Sequence, residues 1–203
     1  MICDVDGVLR HWASVEPIES ANGAAPGTLF AAAFAPHRLL PAITGQVTDE
    51  QWRASVIADL ADSGMLPAAA RGLVADWSAM RPTTDEKVVA LLKFARDVVP
   101  VALLSNATTH LEADLEDAGL SGLVDVIFNT SRIGFAKPDP RVYAHAAESL
   151  GVAPDRCLFV DDTPGHVEAA RAAGMRGVHF RSVTDLEDVL RLLPRPGQVG
   201  SGR

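Results

Sequence analysis

The sequence predicts an α/β protein built on a doubly wound parallel sheet, with a small helical segment inserted after the first strand. Two observations support this prediction. From about residue 99 onward, apolar strand-like runs alternate with helix-like runs, and the joints between them are short and contain glycine. Residues 12–82, by contrast, are rich in alanine and show no clear strand pattern. The alternating part is typical of parallel strands, because a crossover helix must join consecutive strands.

Short apolar runs predict the strands of the sheet, at residues 1–3, 99–104, 124–128, 157–160 and 177–180. Such runs are typical of strands that are buried on both faces of a sheet. Between them, apolar residues at helical spacing predict helices over residues 108–118, 139–150, 164–173 and 184–193. Thr184 and Glu187 predict a capping box at the start of the last helix. Thr83 and Glu86 are expected to restart the alternating pattern after the helical segment.

The helical segment is expected to form a small unit of its own. Thr48 and Gln51 predict a capping box, and apolar residues beginning with Trp52 follow at helical spacing. A further helix is predicted over residues 66–80. The chain would therefore comprise a core, an insert and a disordered tail rich in Pro, Gly and Ser, formed by residues 1–11 with 83–193, 12–82 and 194–203 respectively.

Composition and charge exclude several classes of partner. The net charge of −8 disfavours binding to nucleic acid or to an anionic membrane, because both require basic patches. No apolar stretch is long enough for a transmembrane helix, and no basic segment precedes the first strand as in a signal peptide. We therefore expect a cytoplasmic protein. Cys3 and Cys157 lie in apolar runs and are expected to be buried free thiols.

Polar or charged side chains follow four of the predicted strands at the point where each strand ends. They are Asp4 and Asp6, then Ser105 and Asn106, then Lys137, and finally Asp161 and Asp162. In an open parallel sheet, ligands bind beyond the carboxyl ends of the strands. We therefore expect these side chains to meet at one edge of the sheet.

The acidic members of this set predict a cation site. Residues i and i+2 of an extended segment point the same way, so Asp4 and Asp6 can face one site, and Gly7 allows a sharp turn just afterwards. With Asp161 and Asp162 they would form a group of carboxylates that repel one another unless a cation lies between them. Mg²⁺ suits this position, because it binds a few carboxylates together with substrate phosphate.

The remaining members predict a site for phosphate. Ser105 supplies a hydroxyl donor, and the backbone N–H groups at the start of the next helix add further donors. Lys137 supplies a positive charge that can pair with a phosphate. A cation, hydrogen-bond donors and an in-line nucleophile around spread negative charge are the requirements of phosphoryl transfer. The sequence therefore predicts magnesium-dependent phosphoryl transfer.

These motifs resemble those of the haloacid dehalogenase superfamily of hydrolases, over roughly residues 1–193. The segments that carry the resemblance are Asp4-Val5-Asp6-Gly7-Val8-Leu9, Leu104-Ser105-Asn106, Ala136-Lys137-Pro138-Asp139-Pro140 and Phe159-Val160-Asp161-Asp162-Thr163. The resemblance implies a Rossmann-like core and a phosphatase-like member of the superfamily. It also implies that the insert is a small helical cap of the C1 type, which closes over the site and excludes water.

The resemblance also implies roles for the acidic residues. Asp4 would attack phosphorus and form an aspartyl-phosphate, while Asp6 would protonate the leaving oxygen and later take a proton from water. Mg²⁺ would be held by the Asp4 side chain, the backbone carbonyl of Asp6 and Asp162. Asp161 would lie beside the ion, as a ligand through water or as a hydrogen-bond acceptor behind the ligands.

The other motif residues would hold the substrate, a small phosphorylated metabolite. Ser105 and the backbone of Asn106 would bind the transferring phosphoryl group. Lys137 would pair with both that group and Asp4. The oligomeric state is not predicted by the sequence.

Three other functions remain as alternatives: a sugar phosphomutase, a 2-haloacid dehalogenase and a non-catalytic binding protein with this fold. Asp6 argues against the dehalogenase, because departing halide needs no proton. The complete motif set argues against a binding protein, which would tend to lose one of these residues.

Two features of the sequence are less regular. Only three residues precede Asp4, so either the first strand is short or residues precede Met1 in a longer chain. His11 and Trp12 are candidates for the rim of the substrate pocket, with a solvated His and a packed Trp as the alternative. For His37 and Arg38, an exposed pair is favoured over contact with substrate, and no role is predicted for the remaining histidines.

Overall fold

Strands and helices alternate from the third strand onward in the computed structural model, which describes residues 1–191. The strands are β1 (Ile2–Cys3), β2 (Arg10–His11), β3 (Thr83–Thr84), β4 (Ala102–Ser105), β5 (Val126–Asn129), β6 (Leu158–Asp161) and β7 (Arg176–His179). The α-helices are α1 (Glu16–Ala21), α2 (Thr28–Ala33), α3 (Pro36–Ile43), α4 (Asp49–Asp62), α5 (Pro67–Ala79), α6 (Glu86–Arg96), α7 (Leu111–Asp117), α8 (Thr130–Ile133), α9 (Pro140–Ser149), α10 (Pro164–Ala172) and α11 (Val183–Leu190).

Within the described part of the chain, five strands form one parallel sheet in the order β5-β4-β1-β6-β7. The short strand β1 lies in its centre, where Ile2 pairs with Ala102 of β4 on one side and with Phe159 of β6 on the other. The order reverses at β1, as in doubly wound sheets, so ligands are expected beyond its carboxyl end. The doubly wound parallel sheet predicted from the sequence is thereby confirmed.

Helices cover both faces of the sheet and form two apolar layers. Successive residues of a strand point to opposite faces, so Cys3 packs into one layer and Ile2 into the other. The first layer is completed by α6, α7 and α11, which bury Leu92, Leu115 and Leu186 among others. The second layer is completed by α9 and α10. Cys3 and Cys157 are both buried free thiols, as predicted.

A two-stranded antiparallel ribbon, formed by β2 and β3, was not predicted from the sequence. Arg10 pairs with Thr84 and His11 with Thr83, so Thr83 lies in a strand and does not cap a helix. Helix α6 begins instead after Asp85, whose carboxylate accepts hydrogen bonds from the backbone N–H groups of Lys87 and Val88. In the sequence, β2 comes before helices α1 to α5 and β3 comes after them, so the ribbon joins the two ends of this helical segment.

Helices α1 to α5 share an apolar cluster of their own, which includes Leu29, Trp52, Leu60 and Leu73. The capping box of Thr48 and Gln51 at the start of α4 is confirmed. Trp52, Val56 and Leu60 are all buried on the face that this helix turns toward its neighbours. In the described part of the chain, no helix is both long enough and apolar enough to cross a membrane.

The structure corrects the start of the last helix. Its capping box is formed by Ser182 and Asp185 rather than by Thr184 and Glu187. Asp185 also accepts hydrogen bonds from the backbone N–H groups of both Arg181 and Ser182, which favours the earlier start. The predicted end of this helix at residue 193 and the predicted disordered tail, residues 194–203, lie outside the described residues.

A buried carboxylate holds the start of α2, and its removal should destabilise the protein. Glu19 is fully buried and accepts hydrogen bonds from the backbone N–H groups of Gly27 and Leu29, at 2.9 and 2.7 Å. Glu19→Ala would leave both donors without a partner, so we expect a loss of about 1–3 kcal/mol in the free energy of unfolding. Denaturant titration measures this loss. The exposed Glu16→Ala on the same helix is the control, and an equal loss there would contradict the assignment.

Candidate active site

The side chains predicted to meet at the carboxyl edge of the sheet do so in part. Asp4 directly follows β1, Ser105 ends β4 and Asp161 ends β6. Lys137 comes from the loop between α8 and α9 and reaches the same edge. All four residues are buried, with the Lys137 side chain only 1% exposed.

The ammonium group of Lys137 connects these strand ends. Its Nζ atom lies 2.8 Å from Oδ1 of Asp4 and 2.7 Å from Oδ2 of Asp161. It also donates a hydrogen bond of 3.1 Å to the backbone carbonyl of Leu104. An ammonium group has three donors, and all three are used here. The side chain is therefore fixed in one position between two carboxylates.

The backbone of Lys137 is held as firmly as its side chain. The side-chain amide of Asn106 accepts a hydrogen bond from the Lys137 N–H and donates one to the Lys137 carbonyl, both 2.8 Å long. These two bonds hold the Asn106 side chain against the backbone of Lys137. The backbone of Asn106 is the part that the resemblance implies would bind the phosphoryl group.

Charge and burial act against each other in this cluster. Burial raises the pKa of Asp4 to about 7, although the nearby charge of Lys137 opposes the rise. For Asp161, burial would raise the pKa, but hydrogen bonds from His166 and Lys137 together with the Lys137 charge hold it below its usual value. Burial would lower the pKa of Lys137, but the two carboxylates outweigh it and raise that pKa.

A third carboxylate makes this cluster suitable for a cation. Oxygen atoms of Asp4, Asp161 and Asp162 all lie within 4.8 Å of one another. One lysine cannot neutralise three carboxylates, and the charge of Asp161 adds to the rise in the pKa of Asp4 that burial causes. Oxygen ligands of this kind are those that Mg²⁺ prefers. The residues present therefore fit a magnesium ion.

The two consecutive aspartates after β6 differ in their surroundings. Asp161 is fully buried, and its oxygens receive hydrogen bonds from Lys137 Nζ and, at 2.8 Å, from the Thr163 N–H. Its Oδ1 atom also lies 3.2 Å from Nδ1 of His166. Asp162 is more exposed and has one contact of 3.3 Å from the Thr163 hydroxyl. Asp162 thus has more oxygen lone pairs available for a ligand than Asp161.

Gly7 is required by the approach of Asp162. Its φ of +89° lies in the left-handed region, which disfavours residues with a side chain. A Cβ atom at this position would stand 2.1 Å from Oδ2 of Asp162. The turn after Asp6 therefore brings its backbone close to this carboxylate, and only glycine leaves the space.

Asp6 lies apart from the acidic cluster. Its Oδ1 atom accepts hydrogen bonds from Nε of Arg10 at 2.7 Å and from Nε1 of Trp12 at 2.6 Å. Its Oδ2 atom accepts a longer bond of 3.3 Å from Nη2 of Arg10. The carboxylate of Asp6 is thus oriented by β2 and the residue after it. Trp12 was left open by the sequence, and it contacts the predicted acid directly.

Arg10 and His166 are contacts that the sequence did not predict. The side chain of Arg10 is only 4% exposed, and its Nη1 atom lies 3.7 Å from a carboxylate oxygen of Asp114. The spacing of Asp6 and Arg10, four residues apart, could have suggested an ion pair, although the segment is not a helix. His166 was given no role, and only the fold brings it to Asp161. The predicted exposed pair of His37 and Arg38 is wrong for Arg38, because its side chain is only 14% exposed and forms an ion pair with Asp59.

A cavity of about 400 Å³ lies between helices α2 to α5 and this edge of the sheet. From the sheet side it is lined by polar and aromatic residues, including Asp6, Arg10, Trp12, Asn106 and Thr108. From the helical side it is lined by the aromatic rings of Phe30, Phe34, Trp52 and Trp77, together with aliphatic and polar residues such as Leu39 and Arg53. The cavity therefore adjoins the predicted acid, Asp6.

One pair of contacts closes this cavity at the start of α4. The N–H of Asp49 donates to the hydroxyl of Thr109 at 3.0 Å, and its carboxylate accepts from the hydroxyl of Thr108 at 2.7 Å. Asp49 is buried and also pairs with Arg53 at 2.6 Å. The helical segment is thus joined to the rest of the protein here as well as through the ribbon.

The fold and this arrangement correspond to a known family. The sequence profile of the haloacid dehalogenase-like hydrolases matches residues 2–174. The chain belongs to this family, which confirms the resemblance drawn from the motifs and the class of enzyme it implied.

Two of the relatives that this chain resembles in sequence are phosphatases. A phosphatase of Mycobacterium tuberculosis is 41% identical over 116 residues, which are 56% of this chain and 54% of that protein. Phosphoserine phosphatase of Thermus thermophilus is 33% identical over 124 residues, 59% of this chain and 50% of that protein. The matched part of this chain thus spans about half the length of these relatives.

Solved structures show the same fold. A hydrolase from Porphyromonas gingivalis that is like the haloacid dehalogenase (HAD) family superposes with a TM-score of 0.72 at 18% identity. The superposition covers 94% of this chain and 96% of that chain. A HAD family enzyme from Bacteroides thetaiotaomicron, in complex with magnesium and inorganic phosphate, superposes with a TM-score of 0.67 at 18% identity, covering 86% and 89%.

Removing the Lys137 charge should destabilise the protein in a pH-dependent way. Lys137→Met would leave Asp4 and Asp161 buried without their cation, at a cost of about 3–5 kcal/mol near neutral pH. The folded-state pKa values of these acids would then lie above their unfolded values. Protonation at pH 5 would relieve part of the loss, so the deficit should grow as the pH rises from 5 to 8.

Denaturant titrations in EDTA at several pH values measure this deficit. Lys93→Met, at an exposed position of α6, is the matched control and should change stability by no more than about 0.5 kcal/mol. A deficit of the same size at pH 5 and pH 8 would argue against the charge cluster.

Proposed function

We propose that this protein is a magnesium-dependent phosphohydrolase that removes phosphate from a small phosphorylated metabolite through an aspartyl-phosphate at Asp4. The observation that carries the proposal is the buried Lys137, which bridges Asp4 and Asp161 beside Asp162. This arrangement combines a carboxylate nucleophile, a fixed positive charge and oxygen ligands for a cation. The phosphatase relatives support the choice of phosphate monoesters as substrates.

The first half of the reaction transfers the phosphoryl group to the protein. A carboxylate oxygen of Asp4 forms a bond to phosphorus as the bond from phosphorus to the leaving oxygen breaks. Ser105 and the backbone N–H of Asn106 would bind phosphoryl oxygens, and Lys137 would neutralise part of their charge. Because Lys137 is held by three acceptors and by Asn106, it is positioned before the substrate arrives.

Asp6 would move the protons. It gives a proton to the leaving oxygen, so that a neutral alcohol departs. It then takes a proton from the water that attacks the phosphorus of the aspartyl-phosphate, which releases phosphate and restores Asp4. Asp6 adjoins the cavity, where the leaving group would lie, and its bonds to Arg10 and Trp12 aim its carboxylate.

Magnesium would be held by the side chain of Asp4, the backbone carbonyl of Asp6 and Asp162. When bound, it supplies positive charge that offsets the negative charge of the phosphoryl oxygens and of the carboxylates. Asp161 would act behind these ligands, since its own oxygens already bind Lys137 and the Thr163 N–H. The neighbour from Bacteroides thetaiotaomicron that holds magnesium and phosphate supports this assignment.

We assign the helical segment, residues 12–82, the role of a small C1-type cap on a core of residues 1–11 and 83–193. Its position between the two strands of the ribbon and its own apolar cluster support this division. A cap over the cavity would exclude bulk water from the aspartyl-phosphate until the leaving group has departed.

A phosphatase assay tests the proposal directly. We expect hydrolysis of para-nitrophenyl phosphate that depends on Mg²⁺ and is abolished by EDTA, because the acidic cluster lacks a second cation. Asp4→Asn should lower kcat by at least about a thousandfold, since the amide cannot act as the nucleophile. Asp117→Asn, at the exposed end of α7, is the matched control and should keep full activity.

Other outcomes would identify the alternative functions. Turnover that survives Asp4→Asn would rule out the nucleophile. Chloride release from a 2-haloacid would indicate a dehalogenase, and transfer of phosphate within a sugar phosphate would indicate a phosphomutase. Absence of any turnover would leave a binding protein.

The turn at Gly7 provides a second test of the magnesium site. Gly7→Ala should raise the Mg²⁺ concentration for half-maximal activity about tenfold or more, because the new Cβ displaces the carboxylate of Asp162. Gly23→Ala is the matched control, since Gly23 also has a positive φ, of +71°, but nothing lies within 4 Å of its Cβ position. Both variants should lose stability through backbone strain, and only Gly7→Ala should change the response to Mg²⁺. Equal responses would contradict the role of Asp162.

A further inference from the structure

We infer that the preferred substrate carries a planar aromatic ring system in its leaving group, which stacks in the cavity between helices α2 to α5 and Asp6. The inference rests on the proposed phosphatase function and specifies its substrate class. The leaving group would be an uncharged aromatic alcohol rather than a sugar or a second anionic group. Four features of the cavity support this choice.

The first feature is a run of aromatic rings along the helical wall of the cavity. Phe30 and Phe34 are stacked, with centroids 4.7 Å apart and planes inclined by 16°. Phe34 meets Trp52 edge to face at 6.2 Å, and Trp52 meets Trp77 in the same way at 5.2 Å. Aromatic rings in such arrangements favour a further flat ring as their partner.

The second feature is the exposure of these rings. Phe30 is 52% exposed and Phe34 is 41% exposed, and both line the cavity. On the sheet side, Trp12 is 43% exposed and lines the same cavity. Large exposed apolar groups that converge from two sides mark a binding site for an apolar group. The cavity volume of about 400 Å³ has room for a ring system.

The third feature is continuity with the reaction site. Trp12 donates its indole N–H to the carboxylate of Asp6, so its ring lies directly beside the predicted acid. Asn106, whose backbone is proposed to bind the phosphoryl group, also lines the cavity. A leaving group attached to that phosphoryl group would therefore extend into the aromatic part of the cavity.

The fourth feature is the pairing of the polar groups that line the cavity. Arg10 binds Asp6 at 2.7 Å, and Arg53 binds Asp49 at 2.6 Å, so both lining arginines have a carboxylate partner. Among the described residues, Nη1 of Arg10 has no hydrogen bond of its own, but it is buried. A second phosphate or a carboxylate on the substrate would have to compete with these bonds. The indole N–H of Trp52 is also used, by the carbonyl of Ala33. The run of rings from Phe30 to Trp52 thus presents ring faces and edges, rather than hydrogen-bonding groups, to a leaving group.

A set of three primary alkyl phosphates tests the inference, because their leaving oxygens are chemically alike. They are 2-naphthylmethyl phosphate, glycerol 3-phosphate and glucose 6-phosphate. With Mg²⁺ present, we expect kcat/KM for the naphthylmethyl ester to exceed that for the other two by about tenfold or more. Comparable or higher kcat/KM for glucose 6-phosphate would overturn the inference while leaving the phosphatase function intact. If none of these three esters is hydrolysed, and para-nitrophenyl phosphate is not hydrolysed either, the inference and the phosphatase function are both overturned.

Variants of the aromatic wall locate the effect. Phe34→Leu should raise KM for the naphthylmethyl ester about three- to tenfold and lower the ratio of its kcat/KM to that of glycerol 3-phosphate. Phe94→Leu is the matched control, because Phe94 is 39% exposed on α6 and does not line the cavity, and it should change neither value. Phe30→Leu is a second test should Phe34→Leu fold poorly. Unchanged KM for the naphthylmethyl ester in a folded wall variant would overturn the inference.

Discussion

The ion pairs of Lys137 with Asp4 and Asp161 are the interaction on which the rest of the site depends. They connect the ends of β1 and β6, and the bond to the carbonyl of Leu104 adds β4. Unpaired buried charges cost several kcal/mol, so the ends of β1 and β6 can carry buried carboxylates only while the lysine lies between them. The remaining negative charge is what a divalent cation would neutralise. Fold stability and the proposed catalysis would thus depend on the same few contacts.

Asp4 and Asp6 are two positions apart in the sequence and have different surroundings. Asp4 is buried against an ammonium group, whereas Asp6 is partly exposed and accepts bonds from Arg10 and Trp12. This difference allows one carboxylate to act as the nucleophile and the other to transfer protons, because each has its own hydrogen-bond and ion-pair partners. The turn at Gly7 makes this possible, because it directs the chain after Asp6 into β2.

The parallel sheet and the positions of the site residues could be predicted from the sequence, because both leave local signals. Apolar runs marked the strands, and polar residues such as Asp4 and Asp161 stood where the strands end. The ribbon of β2 and β3 left no such signal, since two residues show no periodicity. The contacts of Arg10 and His166 depend on how loops return to the sheet. At the last helix, Thr184 and Glu187 matched the capping pattern, but the helix starts after Ser182, where Asp185 accepts hydrogen bonds from the backbone N–H groups before it.

The contacts of Asp49 with Thr108 and Thr109 determine how the cavity is reached. One of these hydrogen bonds joins neutral groups and the other has a carboxylate acceptor, so breaking both would cost on the order of 2–4 kcal/mol. A gap of that size leaves an open form populated at roughly 0.1–3%. Substrate would therefore enter through a minor conformation, and its rate of association would be lower by that fraction. A residue with no chemical role would in this way set how fast substrate reaches the site.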